Sequence, residues 1–328
     1  TDDVSNGSPQ IVSDALRAVI LVVNYCILST AINLFGTATN VINMVVFLRQ
    51  GLADTVNVSL FGLAVSDLCC LLTLQWMNLC FNPLFRYSQI GFESFETQYI
   101  TAGWPHVCFA RITGLITAYI TLERCLCVVI PLKVKTTLTP RRTVVIIVAI
   151  FFVLICSTIP PYTVDFFAMK FYPTRNRSLI GLEFRLNRDD VERVTFAFNN
   201  VYGYIGFVIV IGCTVVLVTK LNSKTKWRQE TAHAGKSANA STRDRKVVKM
   251  VVMISALFIV CFLPITVVFF GTMVVPEFGL VGRHENLYHV VCSFGYGLET
   301  INSSVTIFIY LKMSSKYKSA FFSLFNVR

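Results

Sequence analysis

Seven stretches of the chain are apolar almost without interruption, and each is long enough to cross a bilayer. Ala18–Leu48 runs 31 residues without a charge, and Thr143–Val164, Val194–Thr219 and Met250–Pro276 are also uncharged. Val56–Phe85 carries one charge, Asp67. Asn286–Leu311 carries one, Glu299. Thr97–Leu122 carries one, Arg111, and ends on Glu123-Arg124. About 20 helical residues span the hydrocarbon layer. Lipid offers backbone N–H and C=O groups no partner, so a spanning segment is a helix or belongs to a closed barrel. The pattern predicts an all-α membrane protein, a seven-transmembrane helix bundle in one domain. Residues 1–17 form an outer N-terminus, 18–313 the bundle and 314–328 a tail. Composition agrees: 54% of residues are hydrophobic and 14% charged, with a mean hydropathy of +0.63.

Charge sets the orientation. With the N-terminus outside, the inner segments carry eighteen basic and three acidic residues, against nine basic and twelve acidic outside. Basic loops stay on the cytoplasmic side. The net charge of +11 therefore reflects topology and a basic inner face, not nucleic-acid binding. The third inner loop, Leu221–Arg243, is polar, and its middle, Glu230–Thr242, reads as flexible. The long outer loop, Asp165–Glu192, alternates enough around Phe184 and Leu186 to predict a short hairpin. After Leu311, Tyr317, Phe321 and Phe322 beside Lys316 predict an amphipathic helix on the inner leaflet, in contact with lipid. Glycosylation triplets at Asn6 and Asn176 fall outside; those at Asn57 and Asn239 fall inside.

All eleven cysteines lie in or beside the spans and none in the long outer loop, which argues for packing residues. The pairs Cys69-Cys70 and Cys125-x-Cys127 lack histidines at ligand spacing, which argues against a metal site.

Five motifs then occur in order, each on its own span. They are Gly36-Thr37-Ala38-Thr39-Asn40, Leu63-Ala64-Val65-Ser66-Asp67, Glu123-Arg124-Cys125 with Pro131 beyond it, Cys261-Phe262-Leu263-Pro264, and Asn302-Ser303-Ser304 followed by Thr306-Ile307-Phe308-Ile309-Tyr310. Together they resemble the rhodopsin-like G-protein-coupled receptors over essentially the whole chain. They are most similar to a divergent invertebrate branch of FMRFamide-type neuropeptide receptors and molluscan chemosensory receptors. The chain departs from the family pattern at Thr306-Ile307, which replace Asn-Pro. It also lacks a Trp in span 4 and a Pro in span 5. Tyr99 falls where span 3 of the family carries its disulfide cysteine.

The resemblance implies roles. Asp67, Asn40, Thr113, Asn302, Ser303 and Thr306 would surround a hydrated Na⁺, or form a satisfied polar network without one. Arg124, beside Glu123, would contact a heterotrimeric G protein once span 6 swings about Pro264. Phe262 would be the toggle at the pocket floor, Tyr310 would join the inner rearrangement, and Lys246 and Lys249 would flank the groove. His106 stands where amine receptors carry Asp, which disfavours an amine ligand. Span 7 has no Lys for a retinal Schiff base. Glu299 and Arg111 either pair internally or bind a ligand cation and anion. Gln75, Trp76, Asn199, Tyr202, Phe269 and Tyr296 would line the walls.

The expectation is a non-enzymatic, multi-pass plasma-membrane receptor for a short extracellular neuropeptide with a cationic group. A chemosensory receptor for a small waterborne molecule is the alternative within the family. A transporter or non-signalling decoy is the alternative outside it.

Overall fold

The computed structural model describes residues 11–131, 134, 138–230, 238–275, 277–279 and 282–325, with side chains 224–244 and 325 not described. The helices are α1 (Asp14–Gln50), α2 (Thr55–Phe81), α3 (Ser94–Val129), α4 (Pro140–Ser157), α5 (Arg188–Glu230), α6 (Ala238–Val274), α7 (Glu285–Met313) and α8 (Ser315–Phe325). Six are long and apolar enough to cross a membrane by length and composition. The seventh, α7, is 29 residues long, and its polar residues Ser293, Glu299, Thr300, Asn302, Ser303, Ser304 and Thr306 are all buried. These residues lower its hydropathy and face protein rather than lipid.

Local chemistry sets several ends. Ser13, Asp54 and Thr139 cap α1, α2 and α4 through their side-chain oxygens, and Pro140 follows Thr139. Gly51 takes φ +83° just after α1, which suits a residue without Cβ. Of the flexible stretch expected at Glu230–Thr242, residues 231–237 lie outside the described residues. Helix runs through Glu230 and resumes at Ala238, because the polar sequence still favours helix once two long spans nucleate it.

The bundle is apolar on its outside. Phe152, Val208, Val260 and Val267 are each at least 59% exposed, the reverse of a water-soluble surface. Helix α3 is central and packs against α2, α5 and α6. The inner core joins Phe47, Ile116, Met250, Tyr310 and Tyr317, and a second cluster joins Phe207, Phe258, Phe262, Ile265 and Phe269. Helix α8 lies on α1 and α7. Tyr317 is buried, donates to Asn43 Oδ1 and stacks with Phe321. Phe322 is 52% exposed and leaves the face expected for it, because five helical residues turn it well away from Tyr317.

The predicted hairpin is present as antiparallel strands β1 (Asp165–Tyr172) and β2 (Arg177–Phe184). Asn176 holds the turn at φ +48°, a conformation Asn tolerates. The first outer loop joins β2: Glu93 N donates to Ile180 O at 2.8 Å and Ile180 N to Gly91 O at 3.0 Å. Glu93 takes Arg86 at 3.1 Å and Arg175 at 2.8 Å. All eleven cysteines are free, so the outer cap is held by polar contacts.

Candidate functional site

Two polar pairs occupy the middle of the bundle. His106 of α3 places Nε2 3.0 Å from Glu299 Oε2 of α7, with both side chains buried. Its Nδ1 lies 3.4 Å from Cys70 O of α2. Tyr296 meets the imidazole edge-on at 5.2 Å. Glu299 is therefore partnered by His106, and Arg111 forms no ion pair with it. Arg111 turns instead toward α5 and α6. Its Nη2 donates to Asn200 Oδ1 at 2.8 Å and its guanidinium lies 5.5 Å over Phe269. Gly203 admits it: a Cβ there would stand 3.0–3.1 Å from the arginine. Arg111 is 7% exposed, its Nε has no hydrogen-bond partner, and among the described residues no carboxylate pairs with it. Glu299 acts on it electrostatically without ion-pair contact, and a buried cation with no direct counter-charge is costly and attracts an anion.

The other expected wall residues divide. Phe269 meets Arg111 and Tyr296 meets His106. Asn199 is buried, donates to Thr195 O and leaves Oδ1 without a donor. Gln75 leaves its Oε1 unpartnered. Trp76 donates to Thr101 Oγ1 at 2.8 Å and packs against Phe85 and Phe92 of the first outer loop. Tyr202 packs against the core cluster of Cys108, Ile112 and Ile116. Phe262 is buried and stacked on Phe258 at 4.4 Å. Sequence reasoning missed Asn200 and Gly203. The signal available was one turn of α5 carrying an amide and a small residue together.

Elsewhere in the bundle, Asp67 accepts from Ser303 Oγ at 2.9 Å and Thr113 Oγ1 at 3.3 Å, and Ser66 joins through Thr113 at 3.0 Å. This oxygen set suits a small hard cation. Asn40 is used differently, donating to Ser303 O and Gly36 O. Asn302 and Thr306 are buried without a hydrogen bond to Asp67.

At the inner end, Arg124 Nη2 lies 2.6 Å from Glu123 Oε1 and 3.3 Å from Thr55 Oγ1 of α2. Thr121 and Ser255 bridge α3 and α6 at 2.7 Å. Thr55, Glu123 and Arg124 border a cavity of about 1600 Å³ whose walls include Lys220, Lys246, Met250 and Tyr310. Lys249 is exposed beside it. Pro264 lies inside α6, so Val260 O loses its helical donor.

Residues 39–310 match the family described as 7 transmembrane receptor (rhodopsin family). The chain is similar to the galanin-like G-protein coupled receptor npr-9 of Caenorhabditis elegans, with 25% identity covering 88% of this chain and 70% of that protein. It is 27% identical to neuromedin-U receptor 2 of Rattus norvegicus, covering 85% and 69%. It is 25% identical to growth hormone secretagogue receptor type 1 of Homo sapiens, covering 98% and 86%.

Proposed function

The chain belongs to the rhodopsin family of seven-transmembrane receptors, and on that premise we propose that it binds a short extracellular peptide through an anionic group at Arg111. The family is one of G-protein-coupled receptors and not of enzymes. The relatives named for galanin-like, neuromedin-U and growth-hormone-secretagogue signalling support a peptide ligand. The observation that carries the ligand chemistry is Arg111, buried without a carboxylate. The cationic ligand group expected at Glu299 gives way to this reading, because His106 already occupies that carboxylate. Ligand bound at Arg111 bridges α3, α5 and α6. It favours the packing in which α6 moves about Pro264 and the Thr121–Ser255 bridge opens. Arg124 is then free of Glu123 and Thr55 to meet the G protein. Ligand acts only through its differential affinity for the two packings. The bundle sits in the plasma membrane with its N-terminus outside, and Asn176 carries a glycan at the hairpin tip; Asn6 lies outside the described residues.

G-protein activation in cells expressing the chain tests this, screened with short acidic peptides, their amidated neutral counterparts and small waterborne molecules. The expected result is a nanomolar response to an acidic peptide, abolished by Arg124→Ala and weakened 10- to 100-fold by Arg111→Gln, about 1.4–2.8 kcal/mol. Responses only to small molecules, or peptide responses indifferent to Arg111→Gln, overturn it.

A further inference from the structure

Glu192, in the first turns of α5, meets groups from three elements at the outer surface. Tyr99 Oη of α3 donates to Glu192 Oε2 at 2.9 Å. Arg188 Nε, one turn earlier on α5, lies 3.2 Å from Glu192 Oε1 and 3.1 Å from Asp165 Oδ1 at the base of β1. Glu192 and Asp165 are themselves within hydrogen-bonding reach. The Arg188 guanidinium is fixed between two rings, 3.7 Å over Phe184 of β2 and 5.2 Å over Tyr99. Tyr288 of α7 is near enough to Tyr99 for a weak electrostatic interaction. Asp165, Arg188, Tyr99 and, through Tyr99, Tyr288 are the charged and titratable groups about Glu192.

The Asp165 side chain is fully buried and that of Glu192 is 15% exposed. Yet neither Asp165 oxygen, nor Glu192 Oε1, receives a well-directed hydrogen bond. Two carboxylates face each other around one guanidinium, and three acceptors lack a donor. One proton supplies two of the three: the protonated oxygen becomes a donor and one Asp165 oxygen gains it. Placed on Glu192 Oε1, it donates to Asp165, leaves Glu192 Oε2 to accept from Tyr99, and brings the cluster of Asp165, Glu192 and Arg188 to zero net charge.

We propose that this cluster is a proton-operated clasp, which holds the hairpin to the outer ends of α3 and α5 when protonated and releases it as extracellular pH rises. The clasp goes beyond the ligand reading and stands without it. The hairpin caps the bundle and no disulfide ties it down, so this contact, with the Glu93–Arg175 pair and the backbone bonds to the first outer loop, sets how firmly the cap is seated. The sign follows from proton counting. The closed form binds one proton more than the open form, in which a solvated glutamate is ionised at neutral pH, so falling pH favours closure.

Hydrogen–deuterium exchange on the purified full chain, at pH of about 6 and about 8 and corrected for intrinsic exchange chemistry, tests this without any ligand. Wild type should expose the backbone of residues 165–184 several-fold more at the higher pH. Glu192→Gln, whose amide donates permanently to Asp165 while its carbonyl accepts from Tyr99, should remove that difference and keep the hairpin protected at both. If Glu192→Gln does not fold, Asp165→Asn neutralises the same pair from the other side. Equal protection of the wild type at both pH values, or the same pH ratio in the neutralised variants, overturns the proposal.

Discussion

Glu299 illustrates how a single buried charge is settled by its neighbour. Its partner is His106, with both side chains at 3% exposure or less. Removing one member of a buried pair costs roughly 3–5 kcal/mol, because the other is left unpaired. Glu299→Gln should therefore lower the melting temperature of the purified receptor by several degrees, and adding His106→Asn should recover part of the loss. If the single variant melts with wild type, the pair is not structural. Arg111 differs in kind, since its only described polar partner is a neutral amide. Replacing it should cost ligand potency and little stability, so the two central charges separate by which measurement they move.

At the scale of elements, close helix approach is decided by small residues. A Cβ on Gly36 of α1 would stand 2.1 Å from Ser304 Oγ of α7 and 2.8 Å from Leu71 Cδ1 of α2. The serine rotamer can yield, but Ser304 also donates to Thr300 O at 2.7 Å. Overpacking of this type costs about 1–3 kcal/mol. Gly36→Ala should melt a few degrees lower, and Gly36→Val should largely fail to reach the cell surface. A Gly36→Val receptor with normal yield and melting would show that α1 is free to move away. The hairpin was legible from the sequence because alternation and a turn survive in a loop. Its fastening was not, since Glu93 of the first outer loop and Glu96 at the start of α3 meet Arg175 and the Leu182 N–H of the hairpin across a long stretch of chain.

For the whole molecule, the buried polar groups around Asp67 lie where three helices meet. Its carboxylate ties α2 to α3 and α7 through Thr113 and Ser303. Asp67→Asn should abolish any effect of sodium, against potassium at equal ionic strength, on agonist affinity and should reduce G-protein activation several-fold. A sodium effect that persists in Asp67→Asn would place the cation elsewhere.

Hydropathy alone determined seven helices and their order, because lipid removes every other way to satisfy a backbone. The motifs located Asp67, Arg124 and Pro264 on the right helices, and Asp67, Thr113 and Ser303 do meet. Only the tertiary structure decided which buried charge pairs with which. The sequence left open whether Glu299 and Arg111 pair internally or bind ligand charges, and packing placed His106 against one and Asn200 against the other. Helical spacing fixes the depth and face of a side chain to within a turn. A hydrogen bond is set within a few tenths of an ångström, and that precision comes only from how the helices rotate and tilt against one another.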